Sequence, residues 1–239
     1  MKAMILAAGE GTRLRPLTDR CPKPMLPVGG RPLLERTIGW LRQHGVREVA
    51  INLHHRPEAI TQHFGDGSRF GVRITYSPEA QLLGTAGAVR QLEAFFDTTF
   101  AVIYGDVLTD LDLTALADFH RASGSIATLA LYHADNPSAR GLVDLDAAGR
   151  VTRFVEKPRP EEVFTDLANA GVCILEPAVL PFIPVGVPSD FGRDVFPAML
   201  GAGQRLSGWP IPRGTLLIDI GSPESYREAN ATWHLVFDP

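Results

Sequence analysis

Apolar positions follow two different periods along this chain, and they switch often. Ala3 to Ala7 is an uninterrupted apolar run that stops at Gly9-Glu10-Gly11. A short run of this kind, bounded by turn residues, predicts a strand buried on both faces, as in parallel sheets. The next apolar positions, Leu34, Ile38 and Leu41, are spaced i, i+4, i+7, with Pro32 before them and Gly45 after. That is one helical face with its usual start and stop residues. Glu48 to Leu53 predicts a second strand, Pro57 opens a helix that ends before Gly65, and Val72 to Tyr76 predicts a third strand. A helix over 85–95 and a strand over Phe100 to Tyr104 follow. Regular alternation of this type is the pattern of βαβ units, whose right-handed crossovers put helices on both faces of a sheet.

After Asp106 the alternation loosens. Leu113 to Ala122 predicts a helix, while Ile126 to Tyr132, Leu142 to Leu145, Val151 to Phe154 and Ala170 to Leu175 predict strands. Asp146-Ala147-Ala148-Gly149 supplies turn chemistry for a hairpin between two of them. A helix over Phe191 to Leu200, a strand over Leu216 to Ile220 and a closing helix over Pro223 to His234 complete the reading. The expected class is α/β, with a mixed, mostly parallel sheet flanked by helices. The Pro-rich stretches at 157–160 and 181–188 read as surface loops, so residues 1–239 are expected to form one domain with two halves, 1–110 and 111–239.

Composition narrows the function classes. A length of 239 residues and 45% hydrophobic content suit a globular domain with a real core. The formal net charge of −4 argues against a nucleic-acid partner, which calls for a basic surface. No apolar window reaches the length of a membrane span, and the first residues lack the apolar stretch of a signal peptide. The two cysteines, Cys21 and Cys173, have no ligand spacing and read as reduced thiols. A cytoplasmic protein, monomer or homodimer, is expected.

The candidate chemistry starts at the end of the first strand. Leu6-Ala7-Ala8-Gly9-Glu10-Gly11-Thr12-Arg13-Leu14-Arg15-Pro16, followed by Pro22-Lys23-Pro24, sets glycines beside three cationic side chains in an otherwise acidic chain. Ligands of open α/β sheets gather at the carboxyl ends of strands, and glycines there let backbone N–H groups approach phosphate. The segment is not a dinucleotide fingerprint, because Leu14 stands where a third glycine is needed, and no Walker A string occurs. Two aspartates, Asp106 and Asp219, close apolar strands next to glycines. Two converging carboxylates would suit Mg²⁺, a hard cation that completes its shell with phosphate oxygens and water.

The glycine-loop motif resembles the signature of the sugar-1-phosphate nucleotidyltransferases and is close to their mannose-1-phosphate guanylyltransferase branch. Further family motifs follow in order: Leu83-Gly84-Thr85-Ala86-Gly87-Ala88, Gly105-Asp106, Phe154-Val155-Glu156-Lys157-Pro158 and Asp219-Ile220-Gly221. The resemblance implies a Rossmann-like, GT-A-like nucleotidyltransferase core, with the nucleotide bound by the 1–110 half and the sugar by the 111–239 half. It implies a nucleoside triphosphate and a sugar 1-phosphate as substrates, Mg²⁺ as cofactor, and Asp106 and Asp219 as its ligands. Arg13, Lys23 and Lys157 are the implied catalytic residues, Lys157 serving the sugar phosphate. Ala7, Ala8, Gly9, Gly11, Thr12, Arg13, Glu79 and Gly84 are implied for the nucleotide, and Gly141, Glu156, Lys157 and Asn169 for the sugar phosphate. The sequence reaches Pro239 without a hexapeptide repeat, so no C-terminal left-handed β-helix is expected, although many relatives of the mannose branch carry one.

The base and sugar stay open at this level. An ionised Glu79 only accepts hydrogen bonds, so it suits guanine N1–H and its 2-amino group, accepts less from uracil, and repels adenine N1. GTP with mannose 1-phosphate is the leading expectation, and a uridylyltransferase acting on N-acetylmuramic acid 1-phosphate or a hexose 1-phosphate is the rival. A catalytically silent nucleotide-sugar sensor on the same fold is the alternative from another class. His54-His55 reads as structural, Trp40 and Trp233 as packing residues, and Asp110, Asp112 and Asp144 as turn or cap residues.

Overall fold

The computed structural model describes residues 1–234. The α/β class, with a mixed and largely parallel sheet flanked by helices, is as the sequence predicts. The chain gathers into two compact units that do not divide at residue 110. One consists of Met1–Leu82, Ile103–Asp112 and the segment from Gly214 on; the other consists of Leu83–Val102 and Leu113–Arg213. Gly84 therefore belongs to the second unit and Asp219 to the first.

In the first unit, strand Lys2–Leu6 lies between two neighbours in the sheet. It runs parallel to Glu48–Leu53, with Leu6 opposite Asn52, and on its other side is Phe100–Tyr104, whose last two residues belong to this unit. Glu48–Leu53 in turn runs parallel to Arg73–Pro78, with Asn52 opposite Ser77. Ala3, Met4 and Ile5 are fully buried, which is what the unbroken apolar run predicts for a central strand. Helix Leu33–Gln43 buries Leu33, Leu34, Ile38 and Leu41, the predicted stripe, each worth about 1.5–3 kcal/mol of burial. It also buries Arg36, whose guanidinium donates to the carbonyls of Val28 and Gly29 and lies 4.1 Å over the Trp233 ring. Trp40 donates its indole N–H to Leu111 at 2.8 Å, so both tryptophans pack as expected.

A short strand that the periodicity did not reveal, Val107–Thr109, follows Asp106 and pairs antiparallel with Leu217–Asp219. In this register Asp219 faces Val107, so the two chain segments carrying the aspartates are zipped together. Beneath them Leu14, Leu26, Val28, Leu33, Leu108, Ile218 and Ile220 form one apolar cluster. Packing thus fixes the glycine turn, the Lys23 segment and both aspartate strands against a shared core.

In the second unit, Leu167–Leu175 pairs antiparallel with Ala127–His133, and Ala127–His133 pairs parallel with Leu206–Pro210, a strand the sequence reading lacked. Gly141–Leu145 and Val151–Glu156 make the hairpin expected around the Asp146–Gly149 turn. The helix expected over 85–95 ends at Gln91, where Leu92 bonds back to Val89 and a 3₁₀ turn, Glu93–Phe95, follows. The helix expected over Phe191 to Leu200 starts as a π turn, Phe191–Val195, before becoming Phe196–Gly201. The Asp190 carbonyl accepts from Asp194 and from Val195, which widens that turn, and the Asp190 carboxylate caps Gly192 and Arg193.

Cys21 and Cys173 are free thiols. Burial pushes the Cys173 thiol up to about 12. Among the described residues, no helix is long and apolar enough to cross a membrane.

Candidate active site

The glycine loop begins where the first strand ends. Ala7 and Ala8 are buried, and Gly9, Thr12 and Arg13 are exposed. Gly11 has φ +64°, a left-handed conformation that glycine adopts at little cost. A side chain there would meet Thr18 Cγ2 at 2.9 Å and Lys23 Cβ at 3.1 Å. The loop therefore turns directly over the Lys23 segment, and the 3₁₀ turn Thr12–Leu14 follows with Leu14 anchored in the core. Thr18 clamps the turn by donating to the Gly11 carbonyl at 2.9 Å.

Lys23 is nearly buried, and its ammonium stands between the two aspartates. Nζ is 2.5 Å from Asp106 Oδ2 and 3.5 Å from Asp219 Oδ1. Both carboxylates thus reach one cationic point although 113 positions separate them in sequence, 219 less 106. Arg13 joins this cluster at Gly221, where a Cβ would lie 2.9 Å from Asp219 Oδ1 and 3.1 Å from Arg13 Nη2. Gly105 is equally constrained: a Cβ would meet the Leu6 carbonyl at 2.6 Å. The first unit therefore assembles Gly11, Arg13, Lys23, Asp106 and Asp219 in one place. Among the described residues, no group of three or more His, Cys, Asp or Glu is placed to hold a metal ion. A pair of carboxylates fits a cation that takes few ligands from protein and the rest from phosphate and water, and Mg²⁺ is such a cation.

A second cluster surrounds Glu79, which is 6% exposed. Its Oε1 accepts from Asn52 Nδ2 at 2.8 Å, and Asn52 Oδ1 accepts from the Ala7 N–H at 2.8 Å. The Glu79 N–H donates to the Leu53 carbonyl, and the Glu79 carbonyl sits 2.8 Å from His54 Nδ1, which must donate because a carbonyl only accepts. His55 Nε2 makes the same kind of bond to the Thr18 carbonyl at 3.0 Å. The two histidines hold the backbone of the site loops, a structural role as expected. Asn52 was missed as a site residue. Its signal was a lone amide inside the apolar strand Val49 to Leu53.

The remaining site residues lie in the second unit. The Glu156 carboxylate is packed between two glycines: a Cβ on Gly141 would lie 2.5 Å from its Oε2, and a Cβ on Gly192 2.7 Å. Gly192 carried no sequence signal, since its φ is ordinary. Burial raises the pKa of Glu156, Asp190 raises it further, and Lys157 and Arg193 lower it. Lys157 has φ +50°, rare for a residue with a side chain, and its N–H donates to the Arg140 carbonyl. Strain of this kind collects at functional positions. Its ammonium is exposed and 3.6 Å from Glu156 Oε1. Asn169 is on strand Leu167–Leu175 just before the register shift, and its Oδ1 accepts from Gly171 N at 3.2 Å. Gly84 has φ +74°, with the Ser189 carbonyl crowding the place a Cβ would take. Thr85 ties the same segment down by donating to Asp190.

The fold and these clusters define an α/β protein with a tight glycine turn beside a carboxylate pair that holds the Lys23 ammonium. The chain belongs to the nucleotidyl transferase family, whose profile matches residues 2–234. It is 40% identical, over 96% of its length and 62% of the relative's, to the UTP–glucose-1-phosphate uridylyltransferase of Synechocystis sp.. It is 37% identical to the mannose-1-phosphate guanylyltransferase of Mycobacterium tuberculosis, over 96% of this chain and 63% of that one. The chain thus spans somewhat under two thirds of the length of the curated relatives it matches. Among solved structures it is similar to a Bacillus anthracis protein assigned as a glucose-1-phosphate thymidylyltransferase, solved with sucrose, with TM-score 0.88, 26% identity and coverage of 100% and 96%. It is also similar to HddC of Yersinia pseudotuberculosis, solved with GMP-PN, with TM-score 0.79, 26% identity and coverage of 97% and 99%.

Proposed function

We propose that this protein transfers a nucleoside monophosphate from a nucleoside triphosphate to a sugar 1-phosphate, giving a nucleotide-sugar and pyrophosphate, with GTP and mannose 1-phosphate as the pair. The observation that carries the reading is the Lys23 ammonium held by Asp106 and Asp219 under a glycine turn that bears Arg13. A phosphate oxygen of the sugar 1-phosphate attacks the α-phosphorus; one P–O bond forms as the bond to pyrophosphate breaks. A phosphate monoester is largely dianionic at neutral pH, its second pKa being about 6, so no general base is needed. Positioning and charge neutralisation remain as the protein's tasks. Arg13 and the Gly9–Thr12 backbone grip the triphosphate and stabilise departing pyrophosphate. Lys23 pairs with the reacting phosphates, and Lys157 holds the sugar phosphate, with Glu156, Asn169 and the Gly141 backbone taking sugar hydroxyls. Mg²⁺ held by Asp106 and Asp219 would neutralise charge on the phosphate oxygens. The free thiols accord with a cytoplasmic setting.

Glu79 supports GTP, because a carboxylate matches two adjacent donors on guanine. A second reading, UTP with glucose 1-phosphate, is favoured by the relative at 40% identity. Pyrophosphate release measured for four nucleoside triphosphates against a set of hexose 1-phosphates with Mg²⁺ separates the two. GTP with mannose 1-phosphate should give the highest kcat/KM. Highest kcat/KM with UTP and glucose 1-phosphate selects the second reading, and no turnover with any pair contradicts both.

A further inference from the structure

We infer that Asp190 is a positioning residue for sugar-phosphate recognition, acting on Glu156 through the π turn that it caps; this rests on the role given to Glu156 above. All of the residues involved lie in the second unit. Glu156 Oε2 fills a notch between Gly141 and Gly192, where a Cβ on either glycine would come within 2.7 Å of it. Phe154, on the same face of strand Val151–Glu156, fills the rest of that notch: the added Cβ atoms would meet its ring at 2.8 Å and 3.1 Å. In so close a packing, the place of the carboxylate follows the path of the backbone at residue 192.

Asp190 fixes that path. Its Oδ1 accepts from the N–H groups of Gly192 and Arg193 at 2.9 Å and 3.1 Å, and its Oδ2 accepts from the Thr85 hydroxyl at 2.8 Å. Its N–H donates to Asp194 Oδ2 at 2.7 Å, and its carbonyl accepts from Asp194 and Val195, which makes the turn a π turn. Turns of this type are rare and collect at functional sites. The flanking residues anchor the cap to the start of helix Gly84–Gln91. The Ser189 carbonyl accepts from Ala86 and Gly87, its N–H donates to Leu83, and the Phe191 N–H donates to Thr85 Oγ1 at 2.9 Å. Buried Phe191 then stacks on Phe196, with ring centroids 5.5 Å apart. One carboxylate thus joins the helix start to the glycine that sets Glu156.

The test is steady-state pyrophosphate release by the full chain with Mg²⁺, using the pair with the highest kcat/KM, which is GTP and mannose 1-phosphate on the first reading. Asp190→Ala should raise the KM for the sugar phosphate about tenfold and that for the nucleotide no more than about twofold, since it shifts a group that meets only the sugar phosphate. Asp190→Asn keeps an oxygen for the Gly192 and Arg193 N–H groups and should bring the sugar-phosphate KM back to within about threefold of wild type. Gly192→Ala leaves the cap in place but sets a Cβ 2.7 Å from Glu156 Oε2. It should reproduce the rise, and it tests the same contact if Asp190→Ala does not fold. In a Glu156→Ala background, Asp190→Ala should move the sugar-phosphate KM by no more than about twofold, because the group it acts through is gone. A residue with only a stability role would lower thermal unfolding without splitting the two KM values. Equal rises in both KM values, Asp190→Asn as impaired as Asp190→Ala, or an undiminished effect of Asp190→Ala in the Glu156→Ala background each overturn the inference and leave the nucleotidyltransferase reading standing. A wild-type protein that turns over no pair overturns that reading, and the inference with it.

Discussion

Glu156 illustrates how much a single side chain depends on surroundings the sequence does not spell out. Gly141 and Gly192 press on its carboxylate from two sides, and burial holds its pKa above the ordinary 4.5. The folded state then binds this proton more tightly than the unfolded chain does. Its stabilising contribution is complete below the unfolded pKa and is lost as pH rises through the folded value. Glu156→Gln removes the titration, so its urea-unfolding stability should fall less than that of wild type as pH rises from about 4.5 upward. Parallel pH profiles for the two proteins would contradict the burial account. Motif order made Glu156, Lys157 and the two aspartates legible in the sequence. Asn52 and Gly192 were not legible, because a buried amide or an ordinary-φ glycine acquires its role only from a neighbour distant in sequence.

Elements with a strong period were readable, and elements defined by pairing were not. The helix Leu33–Gln43 and strand Glu48–Leu53 carry their patterns openly. Val107–Thr109 is three residues long and exists because Leu217–Asp219 pairs with it. The π turn at Phe191–Val195 likewise follows from what Asp190 bonds, not from periodicity. The glycine turn makes a sharper prediction at this scale. Gly11→Ala puts a Cβ into a φ of +64° and against Thr18 and Lys23. It should lose about 1–3 kcal/mol in urea unfolding, as residues forced into such backbone regions do. Displacement of Lys23 should lower pyrophosphate release by about 10²-fold. A variant with wild-type stability and turnover would show that the turn does not set the position of Lys23.

At the scale of the molecule, chain order and spatial grouping diverge. Residues 83–102 leave the first unit and the segment from Gly214 on returns to it. That return brings Asp219 to Lys23, so a cation site is assembled from both ends of the sequence in a protein with a net charge of −4. The fold class was readable from alternation of periods; the return of the last segment was not, since it depends on the Leu14, Ile218 and Ile220 core. The most direct test of the account is pyrophosphate release from GTP, Mg²⁺ and mannose 1-phosphate by wild type and by a variant with Asp106→Ala and Asp219→Ala together. Wild type should turn over, and the double variant should lose at least about 10²–10³-fold, the scale of losing a preorganised charge-stabilising contact. Undiminished turnover in the folded double variant would contradict it.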